Sequence, residues 1–183
     1  MANKNLPRFF VIILLGSFGY FIFDDVVPGN QKEEFNVIAY SNNSLKDYFA
    51  NINVNDSKFV KGYVITNGYK VLVDIAITDK QLQDGLAIKN SLKENEGMLF
   101  FLGEPRKASF WMKDMKFPID IIWLNESFSI VHIEHELQPC ESIFSCKSYK
   151  PNSEALYVFE TIAGFANKHD LKTGDMLNFQ LVK

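Results

Sequence analysis

Phe59-Val60-Lys61-Gly62-Tyr63-Val64-Ile65-Thr66-Asn67-Gly68-Tyr69-Lys70-Val71-Leu72-Val73-Asp74-Ile75-Ala76-Ile77 is the stretch that decides the fold. Two β-type runs, Phe59 to Ile65 and Tyr69 to Ile77, flank Asn67-Gly68. A two-residue hairpin turn needs positive φ at its centre, and Asn-Gly supplies it at the least steric cost. An antiparallel hairpin is therefore expected here. Just beyond it, Thr78-Asp79-Lys80-Gln81 has the spacing of a capping box, and Leu82 with Leu86 forms an i, i+4 apolar stripe, so a short helix begins there. Further strands are expected at Met98 to Leu102, Ala108 to Met112, Ile119 to Leu124, Ser127 to Glu136, Ala155 to Glu160 and Met176 to Val182, separated by Gly, Pro, Asn or charged turns. In the last of these, Leu177, Phe179 and Leu181 alternate with Asn178 and Gln180, the pattern of a half-buried strand. A second short helix is expected over Ile162 to His169. Many short strands with two small helices imply a mainly β (α+β) fold. Because closure removes exposed strand edges, the expectation is a compact, closed or partly closed β-barrel-like domain.

Composition agrees with one β-rich domain plus an appendage. The chain has 183 residues, 47% hydrophobic and 22% charged, with seventeen Phe and seven Tyr, and flat rings pack well on a pleated surface. The net charge is only −3 and neither sign is blocked, so nucleic acid is not an expected partner.

On the N-terminal side of the hairpin, the region from Asp24 to about Ser57 is rich in Asn, Asp, Lys and Ser and reads as a polar linker with one short helix near Leu45 to Ala50. Before it lie Lys4 and Arg8, then fifteen uncharged residues from Phe9 to Phe23, then Asp24 and Asp25. Positive before and negative after an apolar run fits an N-in orientation. Fifteen helical residues span roughly 22 Å against a hydrocarbon core of ~30 Å, a deficit that a snorkelling Arg8 and the following Val26 and Val27 reduce. The segment therefore reads as a transmembrane anchor, with a cleaved signal peptide ending near Ser17 and Gly19 as the rival. Both readings place the rest of the chain outside the cytoplasm. The resulting division is a basic cytoplasmic N-terminus (1–8), an anchor or signal peptide (9–23), a linker (24–57) and a β-rich domain (58–183).

Cys140 and Cys146, the two cysteines of the chain, lie in a polar loop after Pro139. In an oxidising compartment they are expected to form a disulfide, the alternatives being two thiols or half of a metal site. Asn42, Asn55 and Asn125 head N-x-S triplets compatible with surface glycosylation.

Several motifs together carry a family likeness. Asp84-Gly85-Leu86, Gly97-Met98-Leu99-Phe100-Phe101, Ser109-Phe110-Trp111-Met112-Lys113-Asp114 and Pro118-Ile119-Asp120-Ile121-Ile122 closely resemble the domain of unknown function 192 family. Pro139-Cys140, Cys146, Tyr157-Val158-Phe159-Glu160, Ala163-Gly164 and Gly174-Asp175 follow in the family's order, and the likeness covers about Phe59 to Lys183. The resemblance implies a compact β-rich, barrel-like domain with short helices, often exported or membrane-anchored, and no established activity. This chain departs from the family pattern at Ala87 and Lys89, where Met and Arg are usual, and at Asp114, where Asn is frequent.

The strongest candidate ligand-binding residues are Trp111, Met112, Lys113, Asp114, Asp120 and Glu160. A Trp beside charged residues at a strand end can stack a sugar ring while carboxylates accept hydroxyl hydrogen bonds. Asp120, set among Phe117, Ile119, Ile121, Ile122, Trp123 and Leu124, also reads as a structural carboxylate bonded to backbone donors or to Lys113. Asp120 with Glu160 or Asp114 is a candidate acid pair for a glycan hydrolase, which needs two carboxylates roughly 5 to 10 Å apart across a cleft. No nucleophile motif and no phosphate-binding glycine loop is present, and no cofactor is implied. His132, Glu134 and Glu136 share one face of a regular strand and form a weak metal candidate. Met98, Met112 and Met115 are a still weaker set of soft copper ligands. The lead expectation is a non-enzymatic, membrane-tethered extracytoplasmic module that binds an envelope glycan or protein. A hydrolase and an accessory subunit of a membrane complex are the alternatives.

Overall fold

In a computed structural model, residues 42–140, 142 and 146–182 are described. The hairpin forms as expected: β1 (Val60–Thr66) and β2 (Tyr69–Ala76) pair antiparallel from Val60 opposite Ile75 to Thr66 opposite Tyr69. Asn67 (φ 46°) and Gly68 (φ 80°) make the turn, both in the left-handed region that the two-residue connection demands.

Helix α1 (Asn42–Asn51) precedes the hairpin and buries Leu45 and Phe49. The stretch read as a linker lies outside the described residues as far as 41; from Asn42 onward it is packed structure, because Leu45 and Phe49 fall one helical turn apart on one side. Helix α2 (Asp79–Asp84) follows β2 with the expected capping box. The Thr78 side chain accepts from the Gln81 amide at 3.3 Å, and Gln81 Oε1 accepts from the Thr78 amide. Gln81 is buried, and its Nε2 also donates to the carbonyls of Asn55 and Lys58, tying the chain before β1 to α2. A 3-10 turn (Gly85–Ile88) then leads to β3 (Glu96–Arg106).

β3 pairs with β2 in parallel, a pairing that requires the intervening helical crossover and makes the sheet mixed. β4 (Phe110–Trp111) leaves the sheet, and β5 (Ile119–Leu124) and β6 (Ile130–Leu137) return to it as an antiparallel pair. β7 (Ser148–Tyr149) pairs with β4 as a separate two-stranded flap. β8 (Ala155–Ile162) runs between β3 and β5, α3 (Phe165–Lys168) follows it, and β9 (Asn178–Leu181) adds to β1. The order of the main sheet is β6-β5-β8-β3-β2-β1-β9. Gly97 permits the close approach of β3 to β8, since a Cβ there would lie 2.7 Å from the Glu160 carbonyl oxygen.

The expectation of a closed or partly closed β-barrel-like domain is corrected: the fold is mainly β, but the seven-stranded mixed sheet does not close. Among the described residues its edges meet beside the Ser129–Met176 bridge, with the Ile130 amide donating to the Asp175 carbonyl, the Gly174 amide to the Ile130 carbonyl and the Leu177 amide to the Phe128 carbonyl. β9 is four residues long, and β6 carries register irregularities, with Glu136 at φ 51°, so neither edge offers a long regular partner.

Each face of the sheet carries its own core. On the first, Val64, Val73, Leu99, Ile122 and Phe159 pack with Leu45 and Phe49 of α1 and Phe165 of α3. On the second, Met98, Phe100, Ile121, Trp123 and Val158 pack with Leu86, Met112 and Phe117. Among the described residues no helix is long and apolar enough to cross a membrane. The candidate anchor Phe9 to Phe23 lies outside them.

Candidate functional site

Asp120 is wholly buried on the first face. Its Oδ1 accepts from the Glu136 amide at 2.7 Å and the Gly164 amide at 3.1 Å, and its Oδ2 from the Ala166 amide at 2.8 Å. Gly164, the residue that opens α3, has no side chain to cap it, so a carboxylate from β5 supplies the missing acceptor. The same carboxylate holds the irregular end of β6. Of the two roles open to it in the sequence, Asp120 takes the structural one, bonded to backbone donors.

Glu160 is also buried, at 4% exposure, but faces the other way. It stands opposite Met98 of β3 and Ile121 of β5, in the second apolar layer, and its carboxyl makes no hydrogen bond among the described residues. Burial alone pushes its carboxyl up to about 8 from the ordinary 4.5, so it is a neutral acid at pH 7. Asp120 stands opposite Thr161 while Ile121 stands opposite Glu160, and alternate residues of a strand point to opposite faces. The structure therefore does not bring Asp120 and Glu160 into one cleft.

The same layer holds Asp74, which stands opposite Met98 on the other flank. Burial raises its carboxyl, but the ammoniums of Lys61 at 2.6 Å and Lys89 at 2.8 Å outweigh burial and hold it below the usual carboxylate value. Lys89, one of the departures from the family pattern, thus has a structural partner. Lys61 stands opposite Asp74 across the hairpin, so that pair follows from the register the Asn67-Gly68 turn sets, whereas Lys89 joins them only through the crossover from β2 to β3.

Trp111 and its neighbours occupy the flap. Register places Phe110 opposite Tyr149 and Trp111 opposite Ser148. Phe110 and Tyr149 turn inward onto the second core, which leaves Trp111 on the outside, 55% exposed. The serine across from it is too small to cover an indole. Lys113 Nζ lies 5.4 Å from the Trp111 ring centroid and 3.8 Å from Asp114, an exposed carboxylate at φ 60°. Met112, between Trp111 and Lys113, is buried, and its carbonyl accepts from the Cys140 amide at 3.3 Å. The Cys140–Cys146 disulfide forms as expected, and β7 begins two residues after it. It therefore moors β7 beside the Trp111 turn. Lys147 lies 4.8 Å from the Tyr149 ring centroid, and Lys150 is exposed. The sequence pattern does not foretell β7: its two residues are below the length at which periodicity can be seen, and the remaining signal is Tyr149 after Cys146.

The metal candidates do not assemble. Among the described residues no group of three His, Cys, Asp or Glu can hold an ion. His132 and Glu134 contact each other at 3.2 Å, but the register shift between Glu134 and Leu137 breaks the alternation that would have set Glu136 beside them. Met98 and Met112 are buried in the second core with Met115 packed against it, as gap-filling side chains rather than exposed thioethers. A separate open pocket of about 430 Å³ lies between α1, α2 and the end of β3, floored by Phe49, Ile77, Leu82 and Phe101, with Arg106 at its rim.

A family model, DUF192, described as "Uncharacterized ACR", matches residues 63–179. The chain belongs to the DUF192 family. No curated protein matches it. Two solved structures resemble this DUF192 domain. One is a putative transcription regulator from Sinorhizobium meliloti 1021, with 23% identity, a TM-score of 0.57, and coverage of 68% of this chain and 94% of that one. The other is a protein of unknown function from Novosphingobium aromaticivorans DSM 12444, with 24% identity, a TM-score of 0.57, and coverage of 66% and 84%. At these identities the likeness establishes the fold alone.

Proposed function

We propose that this DUF192 domain is a non-enzymatic binding or assembly module, tethered outside a membrane by residues 9–23, that takes an envelope glycan on the Trp111 face of the flap. The observation that carries this reading is the contrast between its two tryptophans. Trp123 is fully buried, with its Nε1 donating to the Ala108 carbonyl, whereas Trp111 exposes 55% of its surface on a two-stranded sheet braced by a disulfide. A rigid, half-exposed indole offers a flat face for sugar stacking at little entropic cost. The opposed orientations of Asp120 and Glu160, and the burial of Asp120 against three backbone donors, weigh against the hydrolase reading.

Thermal unfolding of the full chain against a panel of envelope-type oligosaccharides tests the proposal. A ligand at 100 times its Kd stabilises by about 2.7 kcal/mol, and Trp111→Ala should abolish that shift while leaving the unliganded melting temperature in place. A shift that survives Trp111→Ala would move the ligand elsewhere. Turnover of any oligosaccharide in the panel would remove the non-enzymatic part of the reading.

A further inference from the structure

We infer that the glycan recognised on the Trp111 face is acidic, a sugar ring bearing carboxylate or phosphate groups, held by indole stacking together with the ammoniums of Lys113 and Lys150. This inference rests on the reading of that face as a glycan site and adds the charge of its ligand.

The chain as a whole is acidic, with net charge −3, yet the two segments that build the flap are not. Across 107–116 and 146–150 there are five lysines, Lys107, Lys113, Lys116, Lys147 and Lys150, and one acid, Asp114. Lys116 donates to Asn90, and Lys147 lies against the Tyr149 ring. Among the described residues Lys107 and Lys150 have no ion-pair partner. Lys113 contacts Asp114 only at 3.8 Å, and Asp114 is itself well exposed. Such a loose surface pair is worth little and is easily exchanged for another anion. A local positive field on an acidic protein favours a negative partner, and the field is strongest where no fixed acid answers it.

The geometry around Trp111 accommodates both parts of such a ligand. Lys113 covers one side of the ring at 5.4 Å, and Ser148 opposite leaves the rest of the indole open. A sugar stacked on the open side would carry its acidic substituent at the rim of the ring, toward Lys113 and, because Ser148 stands opposite Trp111 and alternate residues of an extended segment share a face, toward Lys150. The half-buried Phe110 and Tyr149 behind the flap and the Cys140–Cys146 disulfide at its base fix the position of Trp111, so little ordering is needed on binding.

The test measures binding of the full chain, solubilised in a polyoxyethylene detergent, to a uronate tetrasaccharide, its carboxyl-reduced neutral counterpart, a phosphate-substituted tetrasaccharide and a single-stranded oligonucleotide. The inference expects the uronate or the phosphorylated sugar to bind at least about tenfold more tightly than the neutral sugar, with affinity falling as salt rises. Lys113→Gln with Lys150→Gln should erase that preference without moving the melting temperature, and Trp111→Ala should abolish binding altogether. Equal affinity for acidic and neutral sugars overturns this inference and leaves the glycan reading standing. Binding of no sugar overturns both, and binding of the oligonucleotide alone replaces the ligand class.

Discussion

The two faces of the sheet solve the burial of a carboxyl group in opposite ways. On the face covered by α1 and α3, Asp120 is surrounded by three backbone amides and works as a clamp between β5, β6 and α3. On the face covered by Met112, Phe117 and the flap, the Glu160 carboxyl has no hydrogen-bond partner among the described residues and avoids the cost of burying a charge by staying protonated. The first arrangement stabilises the fold through a carboxyl group. The second stores a group whose ionisation opposes the fold. Two acids on adjacent strands, offset by one position in register, thus differ because neighbouring β-positions meet different environments.

The largest expected effect breaks the clamp. Asp120→Ala leaves the amides of Glu136, Gly164 and Ala166 without their acceptor, and each buried unpaired donor costs about 1 to 3 kcal/mol, so a loss of more than about 3 kcal/mol in denaturant unfolding is expected. A loss under about 1 kcal/mol would mean that the three amides find other partners and that the contrast between the faces is overstated.

Glu160 gives the next effect, and its sign is opposite. Its folded value of about 8 lies above the ordinary 4.5, so between these values the folded state holds a proton that the unfolded state has released. Stability therefore declines as pH rises from about 4.5 to about 8, and the decline is complete above the upper value. Glu160→Gln removes the titration. The variant should match the parent near pH 4.5 and exceed it by a few kcal/mol near pH 9, since each tenfold difference in proton affinity between the folded and unfolded states is worth about 1.4 kcal/mol. Parallel pH profiles for the two proteins would show that Glu160 gains a partner in solution.

A smaller effect concerns what covers the second face. Replacing Cys140 and Cys146 by Ser opens a short loop, for which chain entropy suggests a loss of about 2 kcal/mol. Because β7 begins just beyond Cys146, fluorescence of the exposed Trp111 should change at denaturant concentrations below the main transition. A single coincident transition would detach the disulfide from the flap. The smallest expected effect is on the outermost residue: Trp111→Ala, measured by denaturant unfolding, should change stability by no more than about 0.5 kcal/mol, as at other exposed positions. A larger loss would make Trp111 part of the second core rather than a surface laid over it.

Much of this was legible in local sequence because it is locally caused. Asn67-Gly68 requires a hairpin, Thr78 with Gln81 makes a capping box, and Cys140 lies close enough to Cys146 to close a small loop. The fate of the candidate residues was not legible in the same way. His132, Glu134 and Glu136 share a face only if the strand is regular, and the bulge before Leu137 appears where the Glu136 amide turns to Asp120. Asp120 and Glu160 looked like a pair because both are acids in apolar runs, and strand register alone shows that they diverge.

By itself, the sequence determined the β-rich class, the hairpin, the capped start of α2, the family and the disulfide, since each depends on residues close in the chain or on a motif taken whole. Only the tertiary structure decided that the sheet stays open, that β3 runs parallel to β2, that a carboxylate on β5 caps α3, and that Trp111 rather than Trp123 faces outward. Those outcomes depend on which strands become neighbours and in what register, and a shift of one residue moves every side chain of a strand to the other face.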